Sequence, residues 1–170
     1  MGGLVYEAEV VANSLLQRGF KEGRADLSPM KLQKLMFFLN GWYLAIHGRP
    51  AIVQPFEAWE YGPVIKSIYQ SLKQYRSGTV TEYLKTFDPV SSSHNAFVVS
   101  DSDREFHEVL DLTWEKYIGI PALQLSAMTH SPGSPWDKIR RAQRSIIDNE
   151  TTKEYFVGLA TTGTAVAKAG

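Results

Sequence analysis

Residues 28–46 read SPMKLQKLMFFLNGWYLAI, and the reading of this stretch decides the fold. Ser28 can cap the free backbone N–H groups of a helix, and Pro29 at the first helical position gives up no hydrogen bond that the helix needs. Gly48 can take the left-handed conformation that closes a helix, and Pro50 forbids continuation. Leu32, Leu35, Met36, Leu39, Tyr43 and Ile46 recur at three- and four-residue spacing, which makes one continuous apolar face. Phe37, Phe38, Trp42 and Leu44 populate the remaining faces, and a helix apolar nearly all round wants protein on every side. Such a helix over Ser28–His47 is about 30 Å long, the width of a small domain. The expected architecture is mainly α: a compact single-domain helical bundle around this central buried helix, with one short β-hairpin or extended arm.

The flanking sequence supports that plan. Val5 to Gln17 carries Val5, Ala8, Ala12, Leu15 and Leu16 near helical spacing and ends at Gly19. Ile52-Val53 and Phe56 to Trp59 surround Pro55 and are too brief for helices, so they supply the hairpin or arm. Gly62-Pro63 is expected to restart helix, with Val64, Ile65, Ile68, Tyr69, Leu72 and Tyr75 on its buried side. In Thr79 to Ser100, Ser91 to Asn95 reads as a polar loop and Phe97-Val98-Val99 as a short strand. Ser102 and Glu105 have capping-box spacing at the start of a helix carrying Phe106, Val109, Leu110, Thr113 and Tyr117. Pro121 opens a further helix through Met128. Ser134-Pro135 again pairs a cap with proline, ahead of a short basic helix with Lys138, Arg140, Arg141 and Arg144. Asn149 to Val157 is the last helix, packing back through Tyr155, Phe156 and Leu159. The domain is expected over residues 1–160, with residues 161–170 as a flexible C-terminal tail.

At 170 residues the chain can bury roughly 70% of the surface its unfolded form exposes. Lys+Arg and Asp+Glu are both 18, so the formal net charge is zero and gives no general attraction to nucleic acid or anionic membranes. Cysteine is absent, which excludes disulfides and thiolate sites. The start of the chain has no basic segment followed by an apolar one, so no signal peptide is expected. The apolar run Leu35 to Ile46 is too short for a bilayer. These features are read as those of a cytoplasmic protein.

Few residues suggest chemistry. His47, His94, His107 and His130 are far apart, with no pair at metal-ligand spacing, and no metal or cofactor is expected. His130 stands nearest to a possible nucleophile, Ser131 or Ser134, but a hydrolase would need a base and an orienting acid assembled in space. The phosphate-cradling glycine patterns do not occur. Lys138, Arg141 and Arg144 share a helix side that could meet phosphates, so a nucleic-acid-binding regulator is a second alternative; with zero net charge, a solvated helix face is the favoured reading of them. Trp59, Tyr61 and Trp136 lie in loops or at helix starts beside Gly62-Pro63 and Pro135. They are either packing corners or anchors for a partner. Tyr83, Phe87 and Phe97 raise the same choice in the long connection Thr79 to Ser100.

Three phrases carry a resemblance when taken together: LSPMKLQKLMFFLNGWYLAIHGRP, EAWEYGPVIKSIYQSLK and LSAMTHSPGSPWDKIR, over residues 27–50, 57–73 and 125–140. In their order and spacing they resemble the Panacea domain, also described as SocA-like or phage-associated GepA-like, from about Val5 to Phe156. The Trp59-Glu60-Tyr61-Gly62-Pro63 corner, the Thr129-His130 and Pro135-Trp136 corner and Lys31-Leu32-Gln33-Lys34-Leu35 match the family's pattern. The resemblance implies a mainly helical antitoxin without enzymatic activity. Its partner would be a cognate protein toxin encoded by the adjacent gene and neutralised by direct binding. A core that must keep one packing cannot also select partners. Recognition is therefore expected in Gln54 to Tyr61, Thr79 to Ser100 and His130 to Trp136, with Trp59, Tyr61, Tyr83, Phe87, His130 and Trp136 as partner-binding residues.

Overall fold

The computed structural model describes residues 3–169, with side chains described through residue 162. It is mainly α, with small antiparallel sheets. The expected central helix is present as α2, Pro29–His47. Ser28 Oγ accepts from the Lys31 backbone N–H, and Gly48 closes the helix at φ 75°. The side chains of residues 31–41 are all buried, as are Tyr43 and Leu44. Around α2 pack α1 (Ala8–Lys21), α3 (Lys66–Leu72), α4 (Arg104–Tyr117), α5 (Ala122–Thr129) and α7 (Asn149–Ala169). A short helix, α6 (Pro135–Arg141), lies between α5 and α7 and packs on α7.

Strands β1 (Phe56–Trp59) and β2 (Gly62–Val64) form the expected hairpin. It gains a third strand, β5 (Ile146–Ile147), which pairs with Phe56 and Glu57 of β1. A second hairpin joins β3 (Thr86–Asp88) to β4 (Ser93–Asn95).

Several local expectations change. Gly62-Pro63 does not restart helix: it opens β2, and α3 begins at Lys66. Gly62 sits at φ 110°, outside the helical region, and Pro63 has no N–H to continue a helical ladder. Phe97 to Val99 is not a strand, and the pairing falls instead on Thr86–Asp88 and Ser93–Asn95. Arg144 lies beyond the end of α6, past Gln143 at φ 56°. The expected flexible tail, residues 161–170, falls largely on side chains outside the described residues.

The cap of α4 is Asp103, not Ser102. Asp103 Oδ1 accepts from the Phe106 N–H at 3.1 Å, and its Oδ2 accepts from the Tyr6 hydroxyl, while Ser102 Oγ meets Ser100. Asp103→Ala should therefore cost about 1–2 kcal/mol, and Ser102→Ala close to nothing. Thermal unfolding of the two variants checks this, and a larger loss from Ser102→Ala would reverse the assignment.

Candidate partner-binding site

The two motif corners meet. The two-residue turn Glu60-Tyr61 projects from the β1–β2 hairpin, and almost every carbonyl around it receives a side-chain donor from another element. Arg140 Nη1 donates to Ala58 O (3.1 Å), Trp136 Nε1 to Trp59 O (2.6 Å), Ser126 Oγ to Tyr61 O (2.6 Å) and Lys34 Nζ to Pro63 O (3.1 Å). His130 Nε2 lies 3.0 Å from Glu60 O, and its Nδ1 lies 2.7 Å from Ser126 O. Carbonyl oxygens only accept, so both ring nitrogens face acceptors within the fold. Trp136 packs edge-on against His130 with ring centroids 4.0 Å apart, and the Arg140 guanidinium lies 5.2 Å from the Trp136 ring centre. Gln33 completes the attachment: its Nε2 donates to Ile65 O and its Oε1 accepts from Ile65 N, each at 3.0 Å.

This arrangement divides the sequence candidates. His130 and Trp136 use their polar atoms to hold the hairpin. Trp59 and Tyr61 project from that held backbone: Trp59 is half-buried against Tyr69 at 4.9 Å, and Tyr61 is 61% exposed. Both line a groove of about 420 Å³ between the hairpin, the start of α2 and α3. Its floor includes Val64, Ile68 and Leu72, and Lys34 also lines it. A groove of this size, mostly apolar with a few polar groups, is of the kind that takes a ligand or a protruding partner side chain.

Lys34 was not singled out by the sequence reading. It is 1% exposed, and burial pulls its pKa down to about 8 from the ordinary 10.5. Lys31, a turn earlier and 3% exposed, differs in being paired with Asp26 at 3.0 Å and donating to Ile118 O at 2.6 Å. Asp26, held by Arg24 first and then Lys31, has its pKa lowered to about 2. The signal available in the sequence was a pair of lysines inside a helix whose apolar residues cover every face.

Tyr83 and Phe87 lie on another part of the surface. Asn13 of α1 is buried, and its Nδ2 donates to Leu84 O (2.8 Å) and Phe97 O (3.0 Å) while its Oδ1 accepts from Leu84 N (2.8 Å). Ser14 Oγ accepts from Val99 N at 2.9 Å. Val80, Leu84 and Val99 enter the core, whereas Phe87, Val90 and Phe97 remain exposed at 58%, 94% and 51%. Tyr83 meets Phe20 edge-on at 5.1 Å.

The alternatives can be placed as well. Ser131 Oγ donates to Met128 O, and Ser134 Oγ donates to Thr129 O while capping α6. Both hydroxyls thus donate to backbone carbonyls rather than to His130. On the basic helix, Arg141 pairs with Asp137 at 3.1 Å and Arg140 is committed to Ala58 O, which leaves Lys138 as its exposed cation with no side-chain ion pair or hydrogen bond among the described residues. Among the described residues, no group of His, Asp and Glu could hold a metal ion, and no helix is long and apolar enough to cross a membrane.

Comparison with known proteins bears on these same segments. The family model for "Antitoxin SocA-like, Panacea domain" matches residues 32–137, a span that includes Lys34, the hairpin, the Thr79 to Ser100 connection and the His130–Trp136 corner. Antitoxin SocA of Caulobacter vibrioides (strain NA1000 / CB15N) is 33% identical over 135 residues, covering 78% of this chain and 70% of that protein. No solved structure matches.

Proposed function

The chain belongs to the Antitoxin SocA-like, Panacea-domain family, and from that premise we propose that it is a cytoplasmic antitoxin that neutralises a cognate protein toxin by binding it directly. The observation that carries the reading is the held hairpin. Its backbone is tied by donors from α2, α5 and α6, and Trp59 and Tyr61 stand at the rim of an apolar groove. Aromatic side chains fixed in advance lose little entropy on binding and are the usual anchors of an interface. The exposed Phe87, Val90 and Phe97 offer a second contact surface, suited to choosing among toxins because their side chains lie outside the core.

Co-expression with the product of the adjacent gene tests the proposal. Restored growth together with a complex that survives size-exclusion chromatography is the expected result. Trp59→Ala combined with Tyr61→Ala should weaken that complex by at least tenfold, with thermal stability changed by no more than a few degrees. Rescue without a complex would overturn direct binding and favour a hydrolytic mechanism. Steeply salt-dependent affinity for operator DNA would favour a regulator instead.

A further inference from the structure

Lys34 has an unmet requirement. An ammonium carries three N–H donors, and the Pro63 carbonyl takes one of them. Among the described residues no carboxylate lies within ion-pair distance of its Nζ, although the same helix neutralises Lys31 with Asp26. Leaving a buried cation without a counter-charge is costly, and in a cavity it marks the place where a ligand supplies one. Gly62 keeps space beside the amine: a Cβ there would fall 2.5 Å from Thr129 Oγ1 and 3.3 Å from Lys34 Nζ. The other charged or titratable groups lining the groove are Arg76, Glu60, Tyr61 and Tyr69, so the two cations outnumber the one carboxylate.

We propose that the groove receives a carboxylate of the protein toxin, carried beside a large apolar side chain, with the Lys34 ammonium as its counter-charge and Trp59, Tyr61 and Tyr69 around the apolar part. Charge complementarity selects the acid: a carboxylate accepts the two N–H groups that Pro63 leaves over. The groove's apolar floor and aromatic walls select its neighbour, as in other concave sites where a few polar groups fix orientation. The choice of a protein as occupant rests on the antitoxin reading above.

The first test measures binding of the adjacent gene's product, in a non-toxic form, to the wild type and to Lys34→Met at pH 7 and pH 9.5. Lys34→Met should bind at least tenfold more weakly at pH 7. Wild-type affinity should fall toward that of the variant at pH 9.5, where the amine of the free protein has lost its proton. Equal binding by wild type and variant, or a flat wild-type pH profile, would overturn the inference while leaving the antitoxin reading intact.

The second test needs neither toxin nor variant. N-acetyl-phenylalanine should move the Lys34 13Cε resonance of the wild-type protein and raise its titration midpoint, and N-acetyl-phenylalaninamide should do neither. No response to the acid, or equal responses to both, would overturn the carboxylate site. A response to the acid from a wild-type protein that binds no toxin would sink the antitoxin reading and the protein occupant together, leaving a site for small carboxylates.

Discussion

Phe156→Ala should lower stability by about 3–5 kcal/mol, which in a chain of this size corresponds to a fall in Tm of about 6–20 °C. Phe156 is fully buried, and its ring meets Trp42 at 5.1 Å, Phe37 at 5.9 Å and Phe38 at 6.1 Å. It lies against the backbone of α2 at Gly41, where an added Cβ would fall 2.1 Å from Phe156 Cε2. The ring is thus a knob whose socket requires a glycine. The walls of that socket are the central helix, which is held from every side and cannot close over the gap, so the cavity term should be near its maximum. Gly41→Ala attacks the same contact from the other side, by overpacking, and should cost about 1–3 kcal/mol. Thermal and urea unfolding measure both. A fall of only a few degrees for Phe156→Ala would show that α7 contributes little to the core.

The second large effect is a dependence on pH. Lys34 has a folded pKa of about 8 against an ordinary 10.5, because burial disfavours its charge. Below pH 8 the amine is charged in both states, and folding bears the full cost of burying it. Between 8 and 10.5 the unfolded chain binds more protons than the folded one, so stability rises with pH, by about 3 kcal/mol over the whole interval. Lys34→Met removes this contribution. At pH 7 the variant should be as stable as the wild type or more so, because loss of the bond to Pro63 O offsets only part of the relief. Its advantage should shrink as pH rises to 9.5. Tyr6 has a raised pKa, chiefly from burial and then from its bond to Asp103, and opposes the trend at still higher pH. Taking the difference between wild type and variant isolates Lys34. Parallel stability curves from pH 7 to 9.5 would show that its charge is not suppressed in the fold.

Helices α2 and α6 were legible because their starts are written in local chemistry. Ser28-Pro29 with Gly48, and Ser134-Pro135, bracket or open α2 and α6 where the caps are observed. Phe106 and Phe156 were placed correctly in the core, whereas Tyr69 and Leu159, expected to pack, are 46% and 40% exposed. What was not legible depended on partners distant in sequence. β5 is two residues long, too short for any alternation, and exists because Glu57 meets Ile146. The strand character of Gly62–Val64 follows from its pairing with β1, not from its own residues. Asn13, Gln33 and Asn40 are polar positions inside largely apolar helices, yet each is buried and bonds a non-helical segment: Leu84 and Phe97, Ile65, and the Ala51 and Ile52 N–H groups. Buried amides must be satisfied, so each was a pointer to a loop whose location only the fold reveals. The candidate site was half legible. Its aromatic residues were found as motif corners, but the donors on one and the carbonyls on the other are 60 or more positions apart, and Lys34 was hidden inside a helix read as pure core.

The grip of Asn13 on both Leu84 and Phe97 has a consequence for how this domain can diversify. One carboxamide of α1 holds the exit and the return of residues 85–96, at the base of the β3–β4 hairpin. For a loop with fixed ends, doubling the length adds only about 0.6 kcal/mol of closure entropy. Insertion, deletion or wholesale exchange between Leu84 and Phe97 therefore draws on the β3–β4 ladder and on chain entropy, and leaves the packed interior unchanged. Recombination at that junction can replace the outward sequence while the same amide re-forms the same joint.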